Sequence, residues 1–309
     1  MGKTALVLSG GGGKGAFQVG AEKYLREEKG YTWDIIAGVS VGALNGTMLA
    51  MEKYARLEEI WKTISNKMVY SGKFNLRTLW KLYRGAKSIY SNDPLAAIVE
   101  REVELDKIVK ELRIGTVSLN SGRYTVYGGD DPNIKRAVLA STVVPIVWPP
   151  QYVSSECQMM VDGSLRRFSP IGDVLDADPD EVVVINCWPK HPAALAHPPR
   201  NILDIALRAL DISSSGIICS DIHEFTHINN NVREAARHGV TLHNPKGKPY
   251  KEYKCLIIEP TEQLELVLDF SRETVDKGLQ MGWERAREVA GWREPKAQRP
   301  KTKVKPGEP

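Results

Sequence analysis

The chain has few cysteines and lacks a long apolar run. Its four cysteines, Cys157, Cys187, Cys219 and Cys255, lie far apart in 309 residues and form no CxxC pair. Two of them lie in apolar, strand-like runs, which favours buried free thiols and a reducing compartment. No segment approaches the ~18 apolar residues of a membrane span, and the first apolar run, 5–8, is too short for a secretory signal. We therefore expect a cytoplasmic protein without a transmembrane segment.

The net positive charge is confined to the end of the chain. Residues 293–309 hold six Lys or Arg and two Glu, which accounts for the net charge of +4 and leaves the rest neutral overall. A fold without a basic patch is not expected to bind nucleic acid. The tail has few apolar residues to bury, which predicts disorder; the alternative is that its lysines contact anionic lipid. We expect one folded domain over 1–292 and a basic, proline-rich tail over 293–309.

The pattern Gly38-Val39-Ser40-Val41-Gly42 places a serine between two glycines. The apolar run 32–37 before it has the length of a strand, and apolar residues after it recur at helical spacing. A serine on a sharp turn from strand to helix is typical of a nucleophile elbow. The flanking Gly38 and Gly42 avoid collision with the neighbouring strand and helix, and the turn lies beside the free N–H groups of a helix N-terminus. Ser40 is therefore the candidate nucleophile.

A second glycine-rich stretch follows a predicted strand at 4–8 and precedes a predicted helix. Gly10, Gly12 and Gly15 match GxGxxG, so a nucleotide-binding oxidoreductase is an open alternative. That alternative lacks the acidic residue expected where the second strand ends, because the strand ends at Ala37-Gly38. A loop whose backbone N–H groups stabilise an oxyanion fits better. The candidate donors are Gly10, Gly11, Gly12 and Gly13.

The remaining segments predict further strands and helices. The apolar run 181–187 is of the kind that a parallel sheet buries on both faces, and Pro94 suits the first turn of a helix. Residues 116–119 and 123–127 predict a hairpin, because Asn-Ser-Gly separates them. Other strands are predicted to end at 161 and to span 253–259, and helices are predicted within 43–64, 133–141, 201–239 and 268–290. This order predicts an α/β fold with a mostly parallel central sheet.

The stretch His223-Glu224-Phe225-Thr226-His227 matches HExxH. On a helix this spacing places two imidazoles on one face, where they could hold zinc beside a glutamate base. The longer metzincin pattern is absent, since Asn230 and Arg233 stand where it needs Gly and His. Glu234 or Glu252 could supply a third ligand, but no pattern marks either residue. A zinc hydrolase is therefore a less favoured alternative, and we expect no metal site.

Three motifs in order resemble the patatin-like phospholipase family. They are the glycine loop Gly10–Gly15, the Gly38–Gly42 elbow and Asp162-Gly163-Ser164. Residues 140–150, Asp93-Pro94-Leu95 and Leu268-Asp269-Phe270-Ser271 are similar to the family as well, so the resemblance covers about residues 4–290. Two positions depart from the usual pattern. Ser164 replaces a Gly or Ala and could alter hydrogen bonding around the aspartate, and Lys14 replaces the commoner Arg.

The resemblance implies a three-layer patatin-like fold and a carboxylic ester hydrolase acting on phospholipids, acylglycerols or simpler esters. It implies an acyl-Ser40 intermediate, Asp162 as the base and the glycine loop as the oxyanion hole, with Lys14, Gly15 and Gly163 as supporting motif residues. This mechanism needs no cofactor. The expected partner is a lipid or ester substrate, with contact at a membrane surface as an open alternative, and the oligomeric state is left undetermined.

A histidine base is a further alternative. All six histidines follow Asp162 in the chain, so the order Ser…Asp…His of the α/β-hydrolases is satisfied. The glycine loop and the surroundings of Ser40 and Asp162 favour the patatin-like arrangement instead.

Overall fold

A computed structural model describes residues 2–73, 75–153, 158–190, 198–200, 202–264 and 267–294. The described strands are β1 Thr4–Leu8, β2 Ile35–Gly38, β3 Glu111–Ser118, β4 Tyr124–Gly128, β5 Gln151–Tyr152, β6 Met159–Asp162, β7 Glu181–Ile185 and β8 Lys254–Ile258. The described α-helices are α1 Gly15–Lys29, α2 Val41–Ala50, α3 Tyr54–Thr63, α4 Asn66–Val69, α5 Leu76–Tyr83, α6 Asp93–Glu102, α7 Ile134–Ser141, α8 Ile202–Arg237 and α9 Arg272–Ala290. The alternation of strands and helices is that of an α/β fold.

One mixed sheet contains all of these strands. Its pairing order is β5-β6-β3-β2-β1-β7-β8, and β4 also pairs with β3. The pairs from β3 through β2, β1 and β7 to β8 are parallel, whereas β4, β5 and β6 pair antiparallel. The prediction of a mostly parallel central sheet is confirmed.

Helices cover both faces of the sheet. Side chains alternate between the faces of a strand. Leu6 and Ile36 therefore point into a cluster with helices α1, α2 and α9. Val7 and Val184 point to the other face, where Phe225 of α8 covers them. Both faces of β1 and β7 are buried, which explains why their sequences are continuously apolar.

The edge of β3 brings two distant parts of the chain together. Strand β2 pairs with the first half of β3, up to Gly38 opposite Ile114, and β6 pairs with the second half, where Asp162 lies opposite Thr116. Strand β4 pairs with both halves and so occupies the other edge of β3. Because a strand has two edges, β2 and β6 share the remaining one. Strand β6 therefore ends close to the point where β2 ends.

Most predicted elements are confirmed with shifted ends, and one region differs. The segment 43–64, predicted as one long or two short helices, forms two, α2 and α3, separated by a turn in which Glu52 has a φ of 54°. The region 201–239 contains one 36-residue helix, α8, rather than several. No described helix is long and apolar enough to cross a membrane.

The first residue of the predicted tail is anchored to the fold. The Arg293 guanidinium forms an ion pair with Glu181 at 2.6 Å and donates hydrogen bonds to Tyr31 and to the carbonyl oxygen of Cys255. Contacts with the domain thus reach one residue past the predicted boundary. The predicted disorder of 295–309 falls outside the described residues.

Candidate active site

Ser40 lies on the turn between β2 and α2. Its φ of 56° is uncommon for a residue with a side chain, and such strain clusters at functional sites. The turn is tight because α2 starts against β1. A Cβ on Gly42 would lie 2.3 Å from the carbonyl oxygen of Leu8, and one on Gly38 would lie 2.2 Å from that of Gly42. The glycines on either side of Ser40 are required by these approaches.

The backbone of Ser40 is held by a side chain from α7. The N–H of Ser40 donates to Ser141 Oγ at 3.0 Å, and that hydroxyl donates to the carbonyl oxygen of Gly115 at 2.7 Å. Ser141 therefore connects the turn to β3, next to the point where β6 joins the same strand. We had not singled out Ser141 as a site residue, although it lies in a family-like segment.

Asp162 is the last residue of β6 and is 2% exposed. One carboxylate oxygen accepts hydrogen bonds from the N–H of Ser164 at 2.8 Å and from its hydroxyl at 2.6 Å. The Ser40 side chain lies close enough to the carboxylate to lower its pKa. Burial raises the pKa of Asp162 to about 6, and the interactions with Ser164 and Ser40 oppose this rise. The fold therefore places the two predicted residues next to each other.

Gly163 allows the chain to turn sharply after Asp162. A Cβ at this position would lie 2.4 Å from the carbonyl oxygen of Gly115 and 2.8 Å from Val39 Cγ1. The turn after Asp162 therefore packs directly on Val39 and on Gly115 of β3, whose carbonyl oxygen also accepts from Ser141.

The glycine loop lies beside Ser40, since a Cβ on Gly10 would be 3.2 Å from Ser40 Cβ. Two of the four proposed donors are already engaged. The N–H of Gly10 donates to the carbonyl oxygen of Phe168 at 3.2 Å, and that of Gly13 donates to Val267 at 2.8 Å. Within the described chain, the N–H groups of Gly11 and Gly12 have no such acceptor. The remaining candidate donors of the oxyanion hole are therefore the N–H groups of Gly11 and Gly12.

Lys14 and Gly15 form the junction of the loop with α1. Lys14 is buried, and its Nζ lies 3.2 Å from the centre of the Trp188 ring, which partly compensates the buried cation. A Cβ on Gly15 would lie 2.3 Å from Val41 Cγ2. The two residues thus pack the loop against the helix that follows Ser40.

A buried polar network fixes the loop relative to the Ser40 turn. Asn45 on α2 donates to the carbonyl oxygen of Gly15 at 3.1 Å and to Gln18 Oε1 at 2.9 Å. Gln18 donates to the carbonyl oxygen of Ser9 at 2.7 Å, and Trp61 donates to Asn45 at 2.8 Å. Sequence reasoning missed this network. Polar residues at buried helical positions were the available signal.

The site is closed in this structure. Ser40 is 6% exposed, and the Phe168 ring would lie 3.1 Å from a Cβ on Gly10. Phe168 packs in turn with Trp188 and with Ile218 of α8.

The described histidines lie away from this pair. His223, His227, His238 and His243 are exposed, whereas the carboxylate of Asp162 is buried and accepts hydrogen bonds from Ser164. His191 and His197 fall outside the described residues. The structure therefore gives no support to a Ser–His–Asp triad among the described residues.

The HExxH stretch forms part of α8. The imidazoles of His223 and His227 stack with ring centroids 6.0 Å apart. The suggested third ligands have other partners, because Glu234 pairs with Arg237 and Glu252 with Arg233. Across the described ranges, no three potential metal ligands form a cluster. The zinc alternative therefore gains no support.

The dinucleotide alternative conflicts with packing at the loop. The second glycine of such a loop must leave its backbone open to a pyrophosphate. Here Gly12 has a φ of 56°, and a Cβ on it would lie 2.2 Å from the carbonyl oxygen of Val267. Asp269 approaches Gly13 equally closely through its own carbonyl oxygen. The segment 267–269 occupies one side of the loop and places acceptor oxygens where phosphate oxygens would be repelled.

Comparison with known proteins identifies the family. Residues 6–175 match the patatin-like phospholipase family, so more than half of the chain is covered and the chain belongs to that family. The matched range contains the glycine loop, Ser40 and Asp162. Membership makes the protein a lipid acyl hydrolase in general terms.

Among solved structures, VipD from Legionella pneumophila is similar, with a TM-score of 0.47 and 13% sequence identity. The match covers 94% of this chain and 67% of that one. The comparison with curated proteins gave no match.

Proposed function

We propose that the protein is a carboxylic ester hydrolase that cleaves lipid acyl esters through an acyl-Ser40 intermediate. The observation that supports this most is the position of the Ser40 side chain beside the buried Asp162 carboxylate, close enough to lower its pKa. A nucleophile joined to a base is the signature of covalent catalysis. The position of Ser40 on a strained turn, beside the glycine loop, adds a place for the oxyanion.

The chemistry follows from these positions. As Ser40 Oγ attacks the ester carbonyl carbon, its proton passes to Asp162, and the carbonyl oxygen becomes an oxyanion that the Gly11 and Gly12 N–H groups stabilise. The tetrahedral intermediate collapses, the C–O bond to the alcohol breaks, and the alcohol leaves with the proton from Asp162. Water then attacks the acyl-Ser40 ester with Asp162 as base again, and this releases the fatty acid and restores both residues.

An aspartate can serve as this base because of its surroundings. An ordinary aspartate is a weak base toward an alcohol, whereas a pKa of about 6 makes Asp162 a stronger base that is still mostly ionised at neutral pH. Burial supplies the rise in pKa, so the same apolar surroundings that bind an acyl chain also activate the dyad. No metal or organic cofactor takes part in these steps.

Active-site labelling tests the proposal. Treatment with a fluorophosphonate is expected to give a stoichiometric adduct, mapped by peptide mass spectrometry to Ser40. If the Asp162→Asn variant forms the Ser40 adduct as fast as the wild type, Ser40 is still the nucleophile but Asp162 is not its base. An adduct on a different serine would contradict the proposal itself.

The serine in the DGS motif provides a pH prediction. The Ser164 hydroxyl donates to Asp162 and thereby lowers its pKa, so Ser164→Ala is expected to raise that pKa. The acid limb of kcat/KM then moves to higher pH, and activity falls about three- to tenfold at pH 6 but much less at pH 8. A pH profile with a soluble ester measures this. The matched control is Ser121→Ala, an exposed turn serine, and a uniform loss across the profile would contradict the prediction.

A further inference from the structure

Helix α5 carries an apolar face that points into solvent. Leu76, Leu79, Trp80 and Tyr83 recur at the spacing of one helix face, and they are 84%, 48%, 56% and 90% exposed. We refer to these four side chains as the α5 face. No described helix or strand packs extensively against α5. So large an exposed aromatic and aliphatic surface on a short helix marks an interaction site.

Local hydrogen bonds stabilise the start of α5. Its N-terminus is capped by Asn75, whose side chain accepts from the N–H of Thr78 at 3.1 Å. Thr78 is the buried position on α5, and its hydroxyl donates to the carbonyl oxygen of Lys73 at 2.5 Å. The chain thus stabilises a solvent-facing amphipathic helix by local hydrogen bonds.

The charges around the α5 face all have one sign. Residues 71–92 contain five cations and no Asp or Glu. The cations are Lys73, Arg77, Lys81, Arg84 and Lys87, and all are exposed. Arg84 lies over the Trp80 ring at 4.5 Å. No described acidic side chain pairs with any of the five. The segment 71–92 is therefore a local basic surface, which corrects the expectation that the fold carries no basic patch.

The segment is attached close to the candidate active site. Its return strand is held by the N–H groups of Ile89 and Tyr90, which donate to the carbonyl oxygens of Ile146 and Val147, each at 2.9 Å. A few residues before this attachment, the carbonyl oxygen of Val143 accepts from the N–H of Asp162 at 3.0 Å. The segment that contains α5 is thus joined by hydrogen bonds to the loop that also holds Asp162.

The apolar surface continues past the helix. Ile146 and Tyr152 are 53% and 48% exposed, and Lys87 Nζ donates to the Tyr152 hydroxyl at 3.2 Å. The exposed apolar residues therefore extend from α5 toward the segment that holds Asp162.

We propose that α5 docks the protein on an anionic phospholipid bilayer, with the α5 face inserted among the acyl chains and the five cations at the headgroups. Leu, Trp and Tyr on one face with Lys and Arg beside them is the composition of interfacial helices. Trp and Tyr favour the headgroup level, and each cation adds about fivefold to the affinity for an anionic surface. The purpose of the docking, which is to bring lipid esters to Ser40, rests on the proposed function. The exposed α5 face and the five cations are observed independently of that function.

Co-sedimentation of the full chain with vesicles tests the docking. Binding is expected to vesicles in which phosphatidylserine replaces about one third of the phosphatidylcholine, to be weaker without phosphatidylserine, and to weaken with added salt. Leu79→Ser with Trp80→Ser, and separately Arg77→Glu with Lys81→Glu, should each lower the partition coefficient at least about tenfold. The matched controls, exposed Val109→Ser and exposed Lys246→Glu, should leave it unchanged.

A second measurement locates the inserted residue. Brominated lipid should quench tryptophan fluorescence of the wild type, and Trp80→Phe should remove this quenching while vesicles are still bound. Quenching that persists in Trp80→Phe would overturn insertion through α5.

Hydrolysis of a soluble monomeric ester separates the two proposals, because none of the substituted residues lies at the candidate site. All variants should keep this activity. Intact ester hydrolysis without vesicle binding, or binding that is lost on removal of 295–309 but not on the α5 substitutions, would overturn the docking alone. Vesicle binding without ester hydrolysis would overturn the proposed function alone.

Discussion

Ser40→Ala is expected to lower kcat for a soluble ester by about 10⁴ or more, because the variant has no oxygen to form the acyl-enzyme. The fold should be unaffected. The backbone N–H of residue 40 still donates to Ser141, and alanine adds no atom to the turn. Steady-state hydrolysis with circular dichroism as a check on folding measures this, and fluorophosphonate labelling should disappear in parallel.

The control for this result is Ser121→Ala, an exposed serine in the turn between β3 and β4. It should retain full activity and labelling. Residual hydrolysis by Ser40→Ala above one part in a hundred of wild type would mean that another group attacks the ester, and the acyl-Ser40 mechanism would be wrong.

Asp162→Asn is expected to lower kcat/KM by about 10³–10⁴, because an amide of the same shape cannot accept the Ser40 proton. In the wild type, kcat/KM should fall as pH decreases through about 6, where Asp162 becomes protonated. The pH profile of the variant should lack this limb. Initial rates between pH 5 and 8 measure both effects.

The same substitution should stabilise the protein. The folded pKa of Asp162 lies above its ordinary value, so the folded state holds the proton more tightly. The contribution of this group favours folding at low pH and is lost as pH rises through about 6. A neutral asparagine removes the cost of the buried charge, which is at most about 3 kcal/mol at pH 8 for a rise of this size. Thermal unfolding at pH 8 should therefore show a Tm a few degrees above wild type.

The comparison variant is Asp130→Asn, which removes an exposed carboxylate. It should change neither activity nor Tm. If Asp162→Asn kept the wild-type rate, the base would have to be another residue. If Asp162→Asn lost both activity and stability, the main role of the carboxylate would be to accept the hydrogen bonds from Ser164. Its burial as a charged base would then not destabilise the folded state.

The local patterns were enough to predict much of this fold. Glycine and serine at fixed spacing predicted the Ser40 turn because one steric constraint lies within the turn itself, where a Cβ on Gly38 would collide with the carbonyl oxygen of Gly42. Continuous apolar runs predicted the buried strands β1 and β7, because a strand that is buried on both faces has no polar face. The contact between Ser40 and Asp162 was expected from the family resemblance, since the pairing of β6 with β3 joins residues far apart in the chain.

Other features depend on tertiary contacts that no local pattern reports. The sequence does not distinguish the N–H groups of Gly10 and Gly13 from those of Gly11 and Gly12. In the fold, Gly10 donates to Phe168 and Gly13 donates to Val267. The single helix α8 was predicted as several because a polar stretch around 211–216 interrupts its apolar pattern. The α5 face was overlooked because an amphipathic pattern gives no indication of whether its apolar side will be covered.

The way β2 and β6 share one edge of β3 divides the catalytic pair between unequal parts of the sheet. Ser40 follows a strand that is enclosed by parallel neighbours on both sides. Asp162 ends a strand held by three residues of β3 and by the two-residue strand β5. Local opening starts where backbone pairing is sparse. The candidate nucleophile thus follows a strand with two parallel neighbours, and the candidate base ends a strand with less backbone pairing. Partial unfolding that starts at β6 is therefore expected to stop hydrolysis while the central strands are still intact.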